Sequence, residues 1–202
     1  EASQRALEAA SDTVHPQGIV ASFPIQDPAI TTSSEGRALC LICDRVQDPG
    51  NLGTILRSAE AAGATGVWLS EGCADVHNPK VVRAAMGAHF RLPIFSEAKW
   101  DSLATELAGR SVELTRVFAT EAGADDWYDQ VDWAGPAALI VSNEAHGLSD
   151  QARNMAGNLI SIPMVGGAES LNAAVAASIV LFEAARQRRT LSTLLQGGTS
   201  SE

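Results

Sequence analysis

The sequence predicts an α/β domain built on a mostly parallel sheet. Three observations carry that prediction: apolar runs of strand length, amphipathic stretches of helical period, and steady alternation of the two along the chain. Runs such as Ala38-Leu39-Cys40-Leu41-Ile42-Cys43 lack the polar alternation of a half-exposed strand. They fit strands covered by helices on both faces.

Residues 2–12, rich in Ala, Leu and Glu, predict a short helix, broken by Thr13-Val14-His15-Pro16-Gln17-Gly18. Residues 19–23 have strand character, and 24–36 read as a polar loop around Pro24 and Pro28. The first buried strand is 38–43. Residues 51–62 follow with helical period, Leu52, Ile55, Leu56 and Ala59 on one side, and Gly63 stops them. A strand at 67–69, a helix at 79–87, a strand at 92–95 and a helix at 100–108 come next. Strands at 112–119 and 137–141 precede a helix to residue 156 capped by Ser149. The last strand is 159–162. The longest helix, 170–189, is apolar almost all round and therefore buried. Residues 1–36 read as a linker and the tail of an upstream element, 37–190 as the functional domain, and 191–202 as a flexible tail.

A chain of 202 residues that is 46% hydrophobic and 19% charged can bury a large core, which excludes wholesale disorder. Lys and Arg number 14 against 24 Asp and Glu, a net charge of −10. That balance excludes coating nucleic acid by bulk charge and leaves room for an enzyme with a small basic site. Three cysteines make no disulfide framework, which points to a reducing compartment. No apolar run approaches the roughly 18 residues of a membrane span, and no signal pattern opens the chain. A cytoplasmic protein without membrane contact is expected.

In open α/β sheets, ligands sit at the carboxyl ends of the strands. Three strand ends here carry dense polar and glycine clusters. The first runs from Asp44 to Arg57, through Asp48-Pro49-Gly50-Asn51-Leu52-Gly53. Asn51 stands where a helix N-cap belongs, and the helix N-terminus with its glycines offers N–H groups to an anion. Arg57, six residues on, either serves that site or pairs with Glu60. The second cluster is Ser142-Asn143-Glu144-Ala145-His146-Gly147. A carboxylate directly after a buried strand, Glu144, needs a partner or a ligand. The segment lacks the Gly-x-Ser-x-Gly of a hydrolase elbow, and His146 has no second zinc ligand at helical spacing. The third is Ile162-Pro163-Met164-Val165-Gly166-Gly167 through Ser170-Leu171-Asn172, which suits a small amphipathic ligand.

Other signals are weaker. Cys40 and Cys43 have C-x-x-C spacing, but residues i and i+3 of a strand point to opposite faces, so they read as core. His15, His77 and His89 stand alone. Asp125, Asp126, Asp129 and Asp132 lack a calcium-loop register and read as a solvated loop, so no metal site is expected. No G-x-G-x-x-G occurs, which disfavours a Rossmann dinucleotide site. Lys80, Arg83 and Arg91 occupy a stretch without acids; with Arg45 and Arg57 they form either a small phosphate-binding patch or ordinary solvated bases.

Taken together, the three clusters resemble the motifs of the SpoU family of RNA ribose methyltransferases, in the SPOUT class, over about 41–188. The resemblance implies a C-terminal trefoil knot, a rare exception to unknotted topology. It implies S-adenosylmethionine as cofactor, held by Thr120, Ser142, Asn143, Gly147, Ile162, Met164 and Leu171. Family members usually carry Gly where Ser142 stands, which leaves that contact open. It implies a homodimer in which Arg57 faces the partner's cofactor. The reaction implied is methyl transfer to a ribose 2′-hydroxyl of RNA. Arg57 would bind phosphate and stabilise alkoxide charge, since a guanidinium stays protonated and cannot act as base. Asn51 and Asn172 would orient the ribose, Ser170 would support them, and Glu144 would fix the loops or the dimer. The Pro16-Gln17-Gly18-Ile19 linker resembles members with an upstream RNA-binding domain that act on rRNA, which favours rRNA over tRNA. A non-catalytic RNA-binding module is the alternative from another class.

Overall fold

The computed structural model describes residues 3–11, 18–24, 37–143 and 146–197, with the backbone alone for 192–197. A short helix α1 (Gln4–Ala10), capped by Ser3, buries none of its residues. The body is a seven-stranded sheet of β1 (Leu39–Asp44), β2 (Gly66–Ser70), β3 (Ile94–Ala98), β4 (Val117–Thr120), β5 (Asp126–Trp127), β6 (Ala137–Ser142) and β7 (Asn158–Ser161). Their spatial order is β3-β2-β1-β6-β4-β7-β5, and every adjacent pair is parallel. The helices are α2 (Pro49–Ala61), α3 (Pro79–Ala85), α4 (Trp100–Ala108), α5 (Asp150–Met155) and α6 (Ala173–Gly197).

All six residues of β1 are buried, because helices cover both faces. Leu39, Leu41 and Cys43 pack with Leu52, Ile55 and Leu56 of α2 and with Ala177, Val180 and Leu181 of α6. Cys40 and Ile42 pack on the other side with Leu103 and Leu107 of α4 and Ala152 of α5. The two cysteines therefore lie on opposite faces as free thiols, and burial pushes Cys40 up to about 11.

Helix α6 is fastened near its end. Arg188 donates to the carbonyls of Trp133, Arg37 and Gly135 at 2.8, 2.6 and 2.7 Å and to Ala38 O at 3.1 Å. Partial burial lowers this guanidinium to about 10, where it still carries its proton at neutral pH. Gln187 adds bonds to Trp133 N and Val131 O, so the helix is tied to the chain entering both β1 and β6.

Several expectations are corrected. Helix α2 begins at Pro49, and its N-cap is Asp48, whose carboxylate accepts from Asn51 N at 2.8 Å; Asn51 is inside the first turn. Proline at the first helical position loses no needed donor, which moves the start upstream. The strand expected from 112 begins at Val117, since a 3-10 turn (Leu114–Arg116) intervenes. Residues 19–23 form no strand; Ile19 and Phe23 are exposed, and Phe23 rests its ring on Phe90 at 5.1 Å. The acidic loop contains β5, a two-residue edge strand too short to show a period. The longest helix starts at Ala173 rather than 170 and runs on to Gly197. Helix α3 ends where Met86 enters the left-handed region at φ 49°.

Candidate active site

Strand order reverses across the sheet, with β2 and β3 on one side of β1 and β6, β4, β7 and β5 on the other. A crevice opens at the carboxyl ends of strands where such a reversal occurs. The cavity lies to one side of that point, beyond β4, β6 and β7, and measures about 710 Å3. It draws Thr120 from β4, Ser142 and Asn143 from β6 and the turn after it, Gly147 from the same turn, and Ile162, Met164, Ser170 and Leu171 from the segment after β7. Each residue named above as a candidate cofactor contact thus borders one cavity. Glu144 lies outside the described residues.

The lining suits an amphipathic ligand of nucleoside size. Ile162, Met164 and Leu171 supply apolar surface, Thr120 and Ser142 hydroxyls, and Gly147, at φ 62°, backbone unscreened by a side chain. Tight turns at strand ends bring peptide groups to the rim because the sheet interior has already used its own. Glu121 also borders the cavity and is held by the guanidinium of Arg153 on α5, which keeps its carboxyl below the usual range. Trp127 of β5 lines the cavity while 47% exposed. Sequence patterning missed Trp127 because its strand is two residues long; an aromatic among four aspartates was the available signal.

At the N-terminus of α2, Asn172 Nδ2 donates to Asn51 Oδ1 at 2.9 Å. The Asn172 side-chain oxygen accepts from Ala174 N and Val175 N at 3.0 and 3.3 Å, as a capping side chain does for α6. One turn along α2 from Thr54, Ser58 Oγ meets Ser178 Oγ at 2.7 Å, so both contacts zip α2 to α6. Asp48 is held below the usual carboxylate range chiefly by the Asn51 N–H, with Lys80 at 3.7 Å assisting.

Arg57 is not gathered into the cavity; it stands exposed on α2. Its expected partner Glu60 pairs instead with Arg91 at 2.6 Å, which leaves Arg57 without a hydrogen bond or ion pair among the described residues. The cationic stretch is correspondingly reduced: Lys80 faces Asp48 and Arg91 faces Glu60. Among the described residues no cluster of His, Cys, Asp and Glu could hold a metal ion. His89 Nε2 sits 2.8 Å from Val76 O. No helix is long and apolar enough to cross a membrane among the described residues.

Similarity to known proteins agrees with this geometry. Mouse (Mus musculus) "rRNA methyltransferase 3, mitochondrial" is 38% identical over 89% of this chain and 55% of its own length. The chain thus spans about half the length of that relative. The "23S rRNA (guanosine(2553)-2'-O)-methyltransferase RlmP" of Bacillus subtilis is 36% identical over 89% of this chain and 69% of its own. Among solved structures, the SpoU methyltransferase AviRb from Streptomyces viridochromogenes, in complex with the cofactor AdoMet, superposes with a TM-score of 0.73. It is 35% identical, over 81% of this chain and 66% of that one. The pattern of the SpoU rRNA Methylase family matches residues 38–182. With a parallel sheet, three motif segments and a family match over most of its length, the chain belongs to the SpoU rRNA Methylase family.

Proposed function

We propose that this chain is the catalytic part of an enzyme that methylates a ribose 2′-hydroxyl of RNA with S-adenosylmethionine. The observation that carries the reading is a cavity of about 710 Å3 whose lining suits a nucleoside; the bond of 2.9 Å between Asn172 and Asn51 lies outside that lining, with Asn172 between the wall residues Leu171 and Ala173. The relatives named for rRNA favour rRNA over tRNA as substrate.

When bound, S-adenosylmethionine supplies an electrophilic methyl group on a sulfonium. Ile162, Met164 and Leu171 would exclude water from its apolar surface, while Thr120, Ser142, Asn143 and Gly147 offer the polar contacts. The linked amides of Asn51 and Asn172 would orient the sugar; Ser170, on the cavity wall, supports that edge. Arg57, unpaired and exposed, would hold the adjacent phosphate and stabilise charge developing on the hydroxyl oxygen. Glu144 would fix the loops or the dimer.

The proposal includes a homodimer that brings Arg57 to the partner's site. Val175 and Phe182 support it, being apolar, seven residues apart on α6 and 47% and 51% exposed. The knotted C-terminal end, a preceding substrate-binding domain joined through residues 1–36, a catalytic domain at 37–190 and a cytoplasmic site of action belong to the same reading.

Titration calorimetry with S-adenosylmethionine, followed by mapping 2′-O-methyl sites on rRNA and tRNA incubated with the chain, tests it. Binding with a new methyl on rRNA is the expected result. Binding without any methylated RNA would leave the non-catalytic RNA-binding alternative standing, and absence of binding would reject the cofactor.

A further inference from the structure

Asp44 ends β1 with its carboxylate fully buried, a position costly for a charge unless it is used. Its Oδ2 accepts from Ser149 N at 2.6 Å. Its Oδ1 lies 3.5 Å from Arg45 Nε, and neither of those two buried atoms has another partner. Arg45 holds φ 52°, a left-handed conformation that is strained for a non-glycine residue and survives only where surroundings impose it. The imposed bonds are evident: Arg45 N donates to Ser70 Oγ at 3.0 Å, and Arg45 Nη2 donates to Gly147 O at 3.3 Å.

These bonds converge on one wall of the cavity. Asn143 N donates to Asp44 O at 3.3 Å, and Gly147 N donates to Asn143 O at 2.9 Å, closing a small antiparallel bridge. Asp44 at the end of β1 and Arg45 just beyond it therefore grip Asn143, Gly147 and Ser149. Asn143 and Gly147 border the cavity, whereas Asp44 and Arg45 do not.

We propose that Asp44 and Arg45 are a positioning pair that sets the affinity of the cavity for S-adenosylmethionine without touching it, by fixing Gly147 and Ser149 against Asn143. This rests on the cofactor reading above. The carboxylate holds the Ser149 amide and faces the guanidinium, and the guanidinium holds the Gly147 carbonyl. The backbone strain at Arg45 is what aims its side chain along that path.

Arg45→Gly separates positioning from folding, because glycine accepts the left-handed backbone without strain while the side-chain bonds vanish. Calorimetric titration with S-adenosylmethionine is expected to show affinity about tenfold weaker, the size of one lost bond from a charged donor. Relief of the left-handed strain offsets in part the loss of the ion pair to Asp44, so urea denaturation should show the variant still folded under the titration conditions, and hydrogen exchange at the Gly147 amide should quicken. Arg45→Lys, which can still reach the Gly147 carbonyl, should recover part of the affinity. Equal affinity of Arg45→Gly and the unaltered chain would overturn this proposal alone. Absence of binding to the unaltered chain would overturn the cofactor reading, and this proposal with it.

Discussion

Asn172 donates its side-chain amide to Asn51 Oδ1 across 121 residues of sequence, joining the first turn of α2 to the residue that caps α6. The same Asn172 side chain caps α6 through its oxygen. One residue thus sets the helix start and the position of Asn51. Asn172→Ala is expected to cost about 1 kcal/mol in urea unfolding and to slow methyl transfer about tenfold or more. Asn172→Ser keeps a capping oxygen but cannot span to Asn51. Its stability should be near that of the unaltered chain while transfer stays slow. Equal rates for Asn172→Ser and the unaltered chain would reduce Asn172 to a cap.

Arg57 makes no bond among the described residues that its removal would break. Arg57→Ala should shift stability by less than about 0.5 kcal/mol. Transfer should fall by about a hundredfold, as on removing a charge-stabilising donor, with cofactor affinity unchanged. Single-turnover kinetics beside calorimetry separates these quantities.

Gly53 reverses the usual helix preference. In a helix interior, Gly→Ala normally stabilises by about 1 kcal/mol. At position 53 an added Cβ would lie 2.5 Å from Ala84 Cβ and 2.7 Å from Val81 O on α3. Gly53→Ala should instead destabilise by about 1–3 kcal/mol, because backbone cannot yield as a side chain does. Chemical denaturation gives the sign directly.

Glu121 at the cavity rim is held below its ordinary value of 4.5, first by its bonds from Arg153. A depressed carboxyl contributes stability above its unfolded value and loses it as pH falls through the folded one. The unfolding midpoint should drop on acidification below 4.5. In Glu121→Gln that drop should be smaller, since the neutral amide has no proton to take up. Parallel slopes for the two proteins would remove Glu121 from the linkage.

The parallel α/β architecture was legible in the sequence because β1 and β6 are continuous apolar runs and α2 has a clean helical period. Patterns of that kind depend on near neighbours, so they survive without coordinates. The boundaries were less legible. Asn51 looked like a cap until Asp48, with Pro49 behind it, took that role, and two-residue β5 had no period to read.

For the site, the sequence alone determined three polar clusters at strand ends and the residue types they hold. Tertiary structure decided which of them meet. Asn51 reaches Asn172 while Arg57 points to solvent, because α2 packs on α6 along one face and leaves the next face open. It also revealed the pairing of buried Asp44 with half-buried Arg45, whose partners Gly147 and Ser149 lie about a hundred positions downstream. Contacts of that range are set by the register of β1 beside β6, which aligns Asp44 with Ser142, and no local pattern encodes such a register.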